Sequence, residues 1–296
     1  MSDVVLLLGF GGPERPAEIR PFIERVLAGR PVPPERIEAV VAHYELMGGS
    51  SPYNELTRRQ AQALERELRA GGDETPIEIA YRCSDPDNEA VLARLAQRGV
   101  TRAFGIILAP HPAAWGPYQA SVDRARAAIG PSAPIVDYAE PYYLDPAFIG
   151  AHAERINDAI ATLESSFDQA ELIFTAHSIP VAGADAYVAQ VAQTATRVAE
   201  SVGAPRWRIA YQSRSGSPRE PWLEPDIRDA IGDCARAGIH DIVVSPIGFL
   251  CDHVEVLYDL DVDAKAAADS LKVRMARAVA LNDHPLFVRA LAHLKR

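Results

Sequence analysis

Cysteine is scarce in this 296-residue chain. There are three, Cys83, Cys234 and Cys251, and no two form a C-x-x-C pair. That spacing excludes a disulfide framework and gives no ligand set for an iron–sulfur cluster, so buried thiols are expected. Basic charge is also short. Thirty lysines and arginines stand against forty acids, a formal charge of −10, which argues against a nucleic-acid surface while leaving room for a local basic patch facing a carboxylate-bearing ligand. The opening MSDVVLLLGFGG lacks the basic residues and cleavage site of a signal peptide, and its apolar run is too short to span a bilayer. A cytoplasmic protein with no transmembrane segment and no nucleic-acid partner is expected.

The chain does have apolar runs of strand length alternating with segments of helical period. Strands are expected in VVLLLG from Val4, IEIAYR from Ile77, FGIILA from Phe104, PIVDYA from Pro134, LIFTA from Leu172, WRIAYQ from Trp207 and DIVVSPI from Asp241. Between them, segments such as LTRRQAQALERELRA carry apolar or small residues three and four apart with charges opposite. Strands apolar throughout, each followed by a helix, imply parallel sheets covered on both faces. The pattern runs once to about Tyr138 and restarts at Leu172, with YAEPYYLDP between as the hinge. The expected fold is α/β: two doubly wound, Rossmann-like domains, residues 1–140 and 141–296, with a cleft between them and the last helix free to pack back on the first domain.

The loops after the strands carry the chemistry. GFGGPERP follows the first, but Gly9, Gly11 and Gly12 do not give G-x-G-x-x-G, so these glycines either shape the backbone or make a weak phosphate loop. ELIFTA runs straight into His177. Histidine is a poor strand-core residue, because its ring nitrogens need partners; at the carboxyl end of a parallel strand it stands where open α/β sheets bind ligands. Alone it reads more readily as a partly buried histidine bonded to a neighbouring loop.

After the seventh strand, CDHVEVLYDLDVDAKAAA places Glu255, Asp259 and Asp263 four residues apart. On a helix this spacing stacks them along one face, within reach of one hydrated cation. A solvated acidic face is the plainer reading, with Asp252 as N-cap and Glu255 three residues on as a capping-box start. A neutral imidazole with carboxylates suits a borderline divalent metal such as ferrous iron, and equally suits proton removal.

At this point LLLGFGGPE, HYELMGGSSPYNELTRRQ, TAHSIP, YQSRSGSPREPWLEPDI and SPIGFLCDHVEVLYDLD together resemble the successive signatures of the ferrochelatases, which insert ferrous iron into a porphyrin. The resemblance implies His177 and Glu255 as the catalytic pair and His177, Glu255, Asp259 and Asp263 as metal contacts. It places Phe10, Ser51, His111, Trp222 and Phe249 against the porphyrin. Iron and porphyrin would be substrates, with no tightly bound cofactor and no iron–sulfur cluster; transient contact with haem-pathway enzymes would follow. RPVPPERIEAVVAHYELMGG and LAPHPAAW are similar to the coproporphyrin branch, so coproporphyrin III is preferred over protoporphyrin IX. Phe10 departs from that branch, which carries a tyrosine there. Two alternatives share the scaffold: a cobalt chelatase acting on a sirohydrochlorin-type ring, for which His111 would be a further cleft histidine, and a non-catalytic haem- or porphyrin-binding protein.

Overall fold

A computed structural model of the chain describes residues 3–29, 32–215 and 220–295. The first two residues of the opening stretch, residues 30–31 at the head of RPVPPERIEAVV and residues 216–219 of the QSRSGSPREPWLEP loop lie outside the described residues.

The chain divides into two compact units, Met1–Pro141 together with Val288–Arg296, and Tyr142–Phe287. The first unit runs β1 (Val4–Gly9), α1 (Ile19–Leu27), α2 (Pro34–Leu46), α3 (Tyr53–Ala70), β2 (Ile77–Tyr81), α4 (Asn88–Gln97), β3 (Arg102–Ile107), α5 (Gly116–Ile129) and β4 (Ile135–Tyr138). The second runs α6 (Pro146–Thr162), β5 (Glu171–His177), α7 (Asp185–Val202), β6 (Trp207–Gln212), α8 (Ile227–Arg236) and β7 (Asp241–Ser245). A short α9 (Val254–Val256) then passes into a π-helical stretch, Leu257–Ala264, and on into α10 (Lys265–Ser270) and β8 (Arg274–Arg277). The terminal α11 (Pro285–His293) spans the point where the chain passes from the second unit to the first.

Each unit is built on a four-stranded sheet whose neighbouring strands are all parallel, in the orders β2-β1-β3-β4 and β6-β5-β7-β8. The central strands are apolar on both faces because helices cover both: every residue of β1 and of β7 is buried, as is every residue of β5 before His177. In the second unit Ile173, Val244, Ile231, Val256 and Leu260 share one core with Phe249, each fully buried aliphatic contributing about 1.5–3 kcal/mol. Helix starts are set by side chains: Asp87, Asp145 and Asp226 accept hydrogen bonds from first-turn backbone N–H groups of α4, α6 and α8, each cap contributing about 1 kcal/mol.

The seven expected strands are present, and β8 is an eighth that the apolar pattern does not reveal. Its sequence RMAR places an arginine at each end, as a short edge strand can, because one side of it faces no further strand.

Candidate active site

His177 is the last residue of β5 and pairs in register with Gln212, the last of β6. Its Nδ1 lies 2.5 Å from the Ser178 carbonyl. A carbonyl can only accept, so Nδ1 is the donor, and in the neutral tautomer Nε2 is the nitrogen with the lone pair. The His177 carbonyl accepts from the Tyr187 hydroxyl at 3.2 Å. Beneath the ring lies Phe249, with centroids 6.4 Å apart, and Phe249 meets His253 edge-on at 5.1 Å. Gly248 makes this approach possible. A Cβ there would stand 2.7 Å from the Ala176 Cα, so only glycine lets the loop after β7 ride over β5.

The acids follow on α9 and the π-helical stretch. Glu255 is exposed, whereas Asp259 and Asp263 are half-buried. The i→i+5 bonding lengthens the turn, so residues four apart fall short of a full turn where α geometry carries them past it. Gln212 links this segment to the strand ends: its Nε2 donates to the Glu255 carbonyl and to Asp259 Oδ2, both at 3.4 Å. Ser213 donates a short hydrogen bond to the same carboxylate. Burial raises the Asp259 pKa to about 6, with the negative Glu255 pushing the same way and Ser213 and Gln212 opposing. His177 lies close enough to act on that carboxylate too. Burial lowers the pKa of His253, assisted by His177 and opposed by Glu255 and Asp252, so this ring is neutral near pH 7. Four ionisable groups thus feel one another at the strand ends of a single unit.

Asp263 stands apart from them: its carboxylate accepts from the Tyr258 hydroxyl and faces Arg228. Asp261 turns to Arg277 instead. The expected capping box is corrected. His253, not Asp252, is the N-cap residue of α9, and no side chain caps it. Asp252 accepts instead from the Ala280 N–H, Asn282 Nδ2 and Arg277, because a buried carboxylate with three donors beside it is better satisfied there than at a helix end.

Trp222 bridges Pro180 across a short antiparallel contact, and its indole Nε1 is buried with no hydrogen-bond partner among the described residues. With Val181, Arg214 and Leu223 it lines an open depression of about 570 Å³.

In the first unit Phe10 follows β1. Its ring packs edge-on against Phe22 at 5.9 Å, and the Arg82 guanidinium lies 4.9 Å from its centroid and 5.6 Å from that of Tyr118. Among the described residues no carboxylate pairs with Arg82, and its buried Nε makes no hydrogen bond. Ser51 is buried, its N–H donating to the Pro13 carbonyl and its hydroxyl accepting from the Tyr53 N–H. The glycine loop shapes the backbone and does not cradle a phosphate. Gly11 sits at φ +95°, where a Cβ would be 2.1 Å from Ser84 Oγ, and the Gly12 N–H already donates to Asn54. His111 is corrected as well: it is 1 % exposed, and burial drives its pKa down to about 3. A neutral ring packed inside the loop presents almost no surface to a ligand.

All three cysteines are buried and free, with thiol pKa values raised by burial. Among the described residues no three His, Cys, Asp or Glu side chains converge as a ready metal cage, and no helix is long and apolar enough to cross a membrane.

A family model, that of the ferrochelatases, matches residues 2–296. This chain belongs to the ferrochelatase family. A ferrochelatase relative in Nocardia farcinica, named coproporphyrin III ferrochelatase, is 41 % identical over 99 % of this chain and 87 % of its own length. Another of that name, from Mycolicibacterium vanbaalenii, is 40 % identical over 99 % of this chain and 88 % of its own length. Among solved structures, CbiX, described as the terminal enzyme for biosynthesis of siroheme in denitrifying bacteria, superposes with a TM-score of 0.58 at 17 % identity, covering 99 % of this chain and 97 % of that one. At that identity the likeness speaks for the chelatase fold alone.

Sequence reasoning missed three members of the candidate site. His253 lay inside the motif that gave Glu255, and its distance of two residues from that acid was the available signal. Gln212 and Ser213 close β6 directly before the arginine-rich loop, but nothing in residue type marks a glutamine as a hinge pin between strand and helix.

Proposed function

We propose that the chain inserts ferrous iron into coproporphyrin III. The observation that carries this reading is the placement of His177, His253, Glu255 and Asp259 in one region of the second unit: Phe249 lies against both imidazoles, and Gln212, the register partner of His177, donates to the Glu255 carbonyl and to Asp259. Metal entry into a free-base porphyrin must remove two pyrrolic protons while the ion loses its water shell. His177, with Nδ1 bound to a carbonyl and Nε2 free to accept, takes a proton from the ring. Asp259, whose pKa of about 6 lies near working pH, and the exposed Glu255 pass protons to water or hold the incoming ion as water leaves. Neutral His253 offers a nitrogen to the same ion. Phe249 and Trp222 provide apolar surface for the macrocycle.

Coproporphyrin III is supported by the names of relatives that match along 99 % of the chain and by Arg82, a half-buried cation with no carboxylate partner among the described residues. Coproporphyrin carries four carboxylates where protoporphyrin carries two, which suits such a cation. Iron and porphyrin enter as substrates, and no resident cofactor or iron–sulfur cluster takes part, in keeping with three isolated, buried thiols. The reaction takes place in the cytoplasm, with product passing to haem-pathway enzymes through transient contacts.

An anaerobic absorbance assay tests this, pairing each porphyrin with ferrous ion and, separately, sirohydrochlorin with cobaltous ion. The expected result is a kcat/KM for coproporphyrin III about tenfold or more above that for protoporphyrin IX. Equal use of both would overturn the substrate assignment. Metallation of sirohydrochlorin alone would overturn the reaction.

A further inference from the structure

Two acids near the site take no part in the chemistry above, and one arginine holds both. Arg277, the last residue of β8, places Nη1 2.7 Å from Asp252 Oδ1. Its Nε and Nη2 grip Asp261 as a fork, at 2.6 and 2.9 Å from Oδ1 and Oδ2. Nη1 also donates to the Ala278 carbonyl at 3.2 Å. The guanidinium is only 12 % exposed, so its placement is dictated by packing and by these bonds together.

The two acids flank the working residues. Asp252 directly precedes His253 and lies three residues before Glu255; Asp261 lies midway between Asp259 and Asp263. The loop at Asp252 is fastened a second time. The Asp252 N–H donates to Asn282 Oδ1 and its Oδ2 accepts from Asn282 Nδ2, both at 2.9 Å, while the Asn282 N–H donates to the Leu250 carbonyl at 2.8 Å. The π-helical stretch, by contrast, is tied to β8 through Asp261 by Arg277. π-Helical turns are rare and cluster at functional sites, since they need outside support to persist.

We propose that Arg277 is a positioning residue for metal insertion: by bridging Asp252 and Asp261 it fixes the distance from the His253–Glu255 turn to Asp259. The proposal rests on reading these residues as the place where iron enters. The bridge acts in two ways. It sets how far apart the His253–Glu255 turn and Asp259 stand, and small displacements of such groups change how they meet an incoming ion. It also neutralises two neighbouring carboxylates, so that an incoming cation is drawn to Glu255 and Asp259 rather than to Asp252 and Asp261.

Arg277→Lys keeps the charge and loses the fork, and Asp261→Asn removes one arm while leaving the Asp252 pair in place. Three quantities separate positioning from mere stability: the melting temperature, the porphyrin affinity from fluorescence quenching, and the affinity of the protein alone for cobaltous ion by calorimetry. Arg277→Lys is expected to bind porphyrin within about twofold of wild type, to bind cobaltous ion about fivefold more weakly, and to show a matching rise in metal KM with ferrous ion. Asp261→Asn should move the same way by less, and it carries the test if the lysine variant does not fold. Wild-type metal affinity and metal KM in folded variants would overturn the proposal, even where the melting temperature falls. A wild-type protein that binds cobaltous ion with this dependence yet metallates no porphyrin would sink the proposed function and leave the role of Arg277 standing.

Discussion

The two units are the same sheet written twice, in the orders β2-β1-β3-β4 and β6-β5-β7-β8, yet matching positions do different work. Behind β1 comes Phe10 and a glycine loop closed by Asn54; β5 ends on His177 with a free ring nitrogen. A histidine follows β3 and another follows β7. His111 is driven by burial to a pKa of about 3 and packs as a neutral core ring. His253 is also shifted down by burial, but Glu255 and Asp252 pull the other way, and it sits against Phe249 within the field of His177. Sheet topology supplies the places, whereas loop neighbours decide whether a histidine there is filling or chemistry.

If that division holds, substitutions in the second unit should cost turnover and those at matching places in the first should not. The largest effect is expected at Glu255. Glu255→Gln keeps the shape of an exposed side chain while removing its charge, and iron insertion should fall about 10²-fold with little change in melting temperature. A folded variant with near-normal turnover breaks the comparison at its strongest point.

Asp259 gives an intermediate effect with a distinctive sign. Its pKa is about 6 in the folded chain against an ordinary 3.8, so between those values the fold binds more protons than the unfolded chain and stability falls as pH rises. Asp259→Asn removes that cost. The variant should be more stable than wild type at pH 7 by on the order of 1–3 kcal/mol, with the advantage gone near pH 4. Its metal KM should rise several-fold. Denaturant titrations at the two pH values check the first statement, and initial rates against ferrous ion the second. A loss of stability at pH 7 would show that the site carries no such strain.

The smallest effect is expected at Phe10. Phe10→Leu keeps an apolar group against Phe22 but gives up the ring beneath Arg82. Turnover should stay within about threefold, and any change should appear in porphyrin KM, since the cation–π contact is worth roughly 0.5–2 kcal/mol. A fall as large as that of Glu255→Gln would place chemistry in the first unit after all.

How much of this was legible in the sequence follows from how local each signal is. Seven strands could be read because buried parallel strands are apolar throughout, and His177 could be placed because such a strand runs straight into it. β8 could not, since Arg274 and Arg277 interrupt its apolar residues. The acid spacing at Glu255, Asp259 and Asp263 was visible, but their separate fates were not. Asp259 goes to Ser213 and Gln212, Asp263 to Tyr258 and Asp261 to Arg277, partners set by tertiary packing. For the same reason Asp252 looked like a helix cap: the three donors that satisfy it stand some thirty residues downstream.

If the second unit's strand ends perform insertion rather than merely hold the ring, His177→Ala separates the two when binding and metallation are followed in one preparation. Coproporphyrin III affinity from fluorescence quenching should match wild type within about threefold, while anaerobic insertion of ferrous ion falls about 10²-fold or more. Unchanged insertion by the folded variant, or a loss explained wholly by weaker porphyrin binding, would contradict insertion by these strand ends.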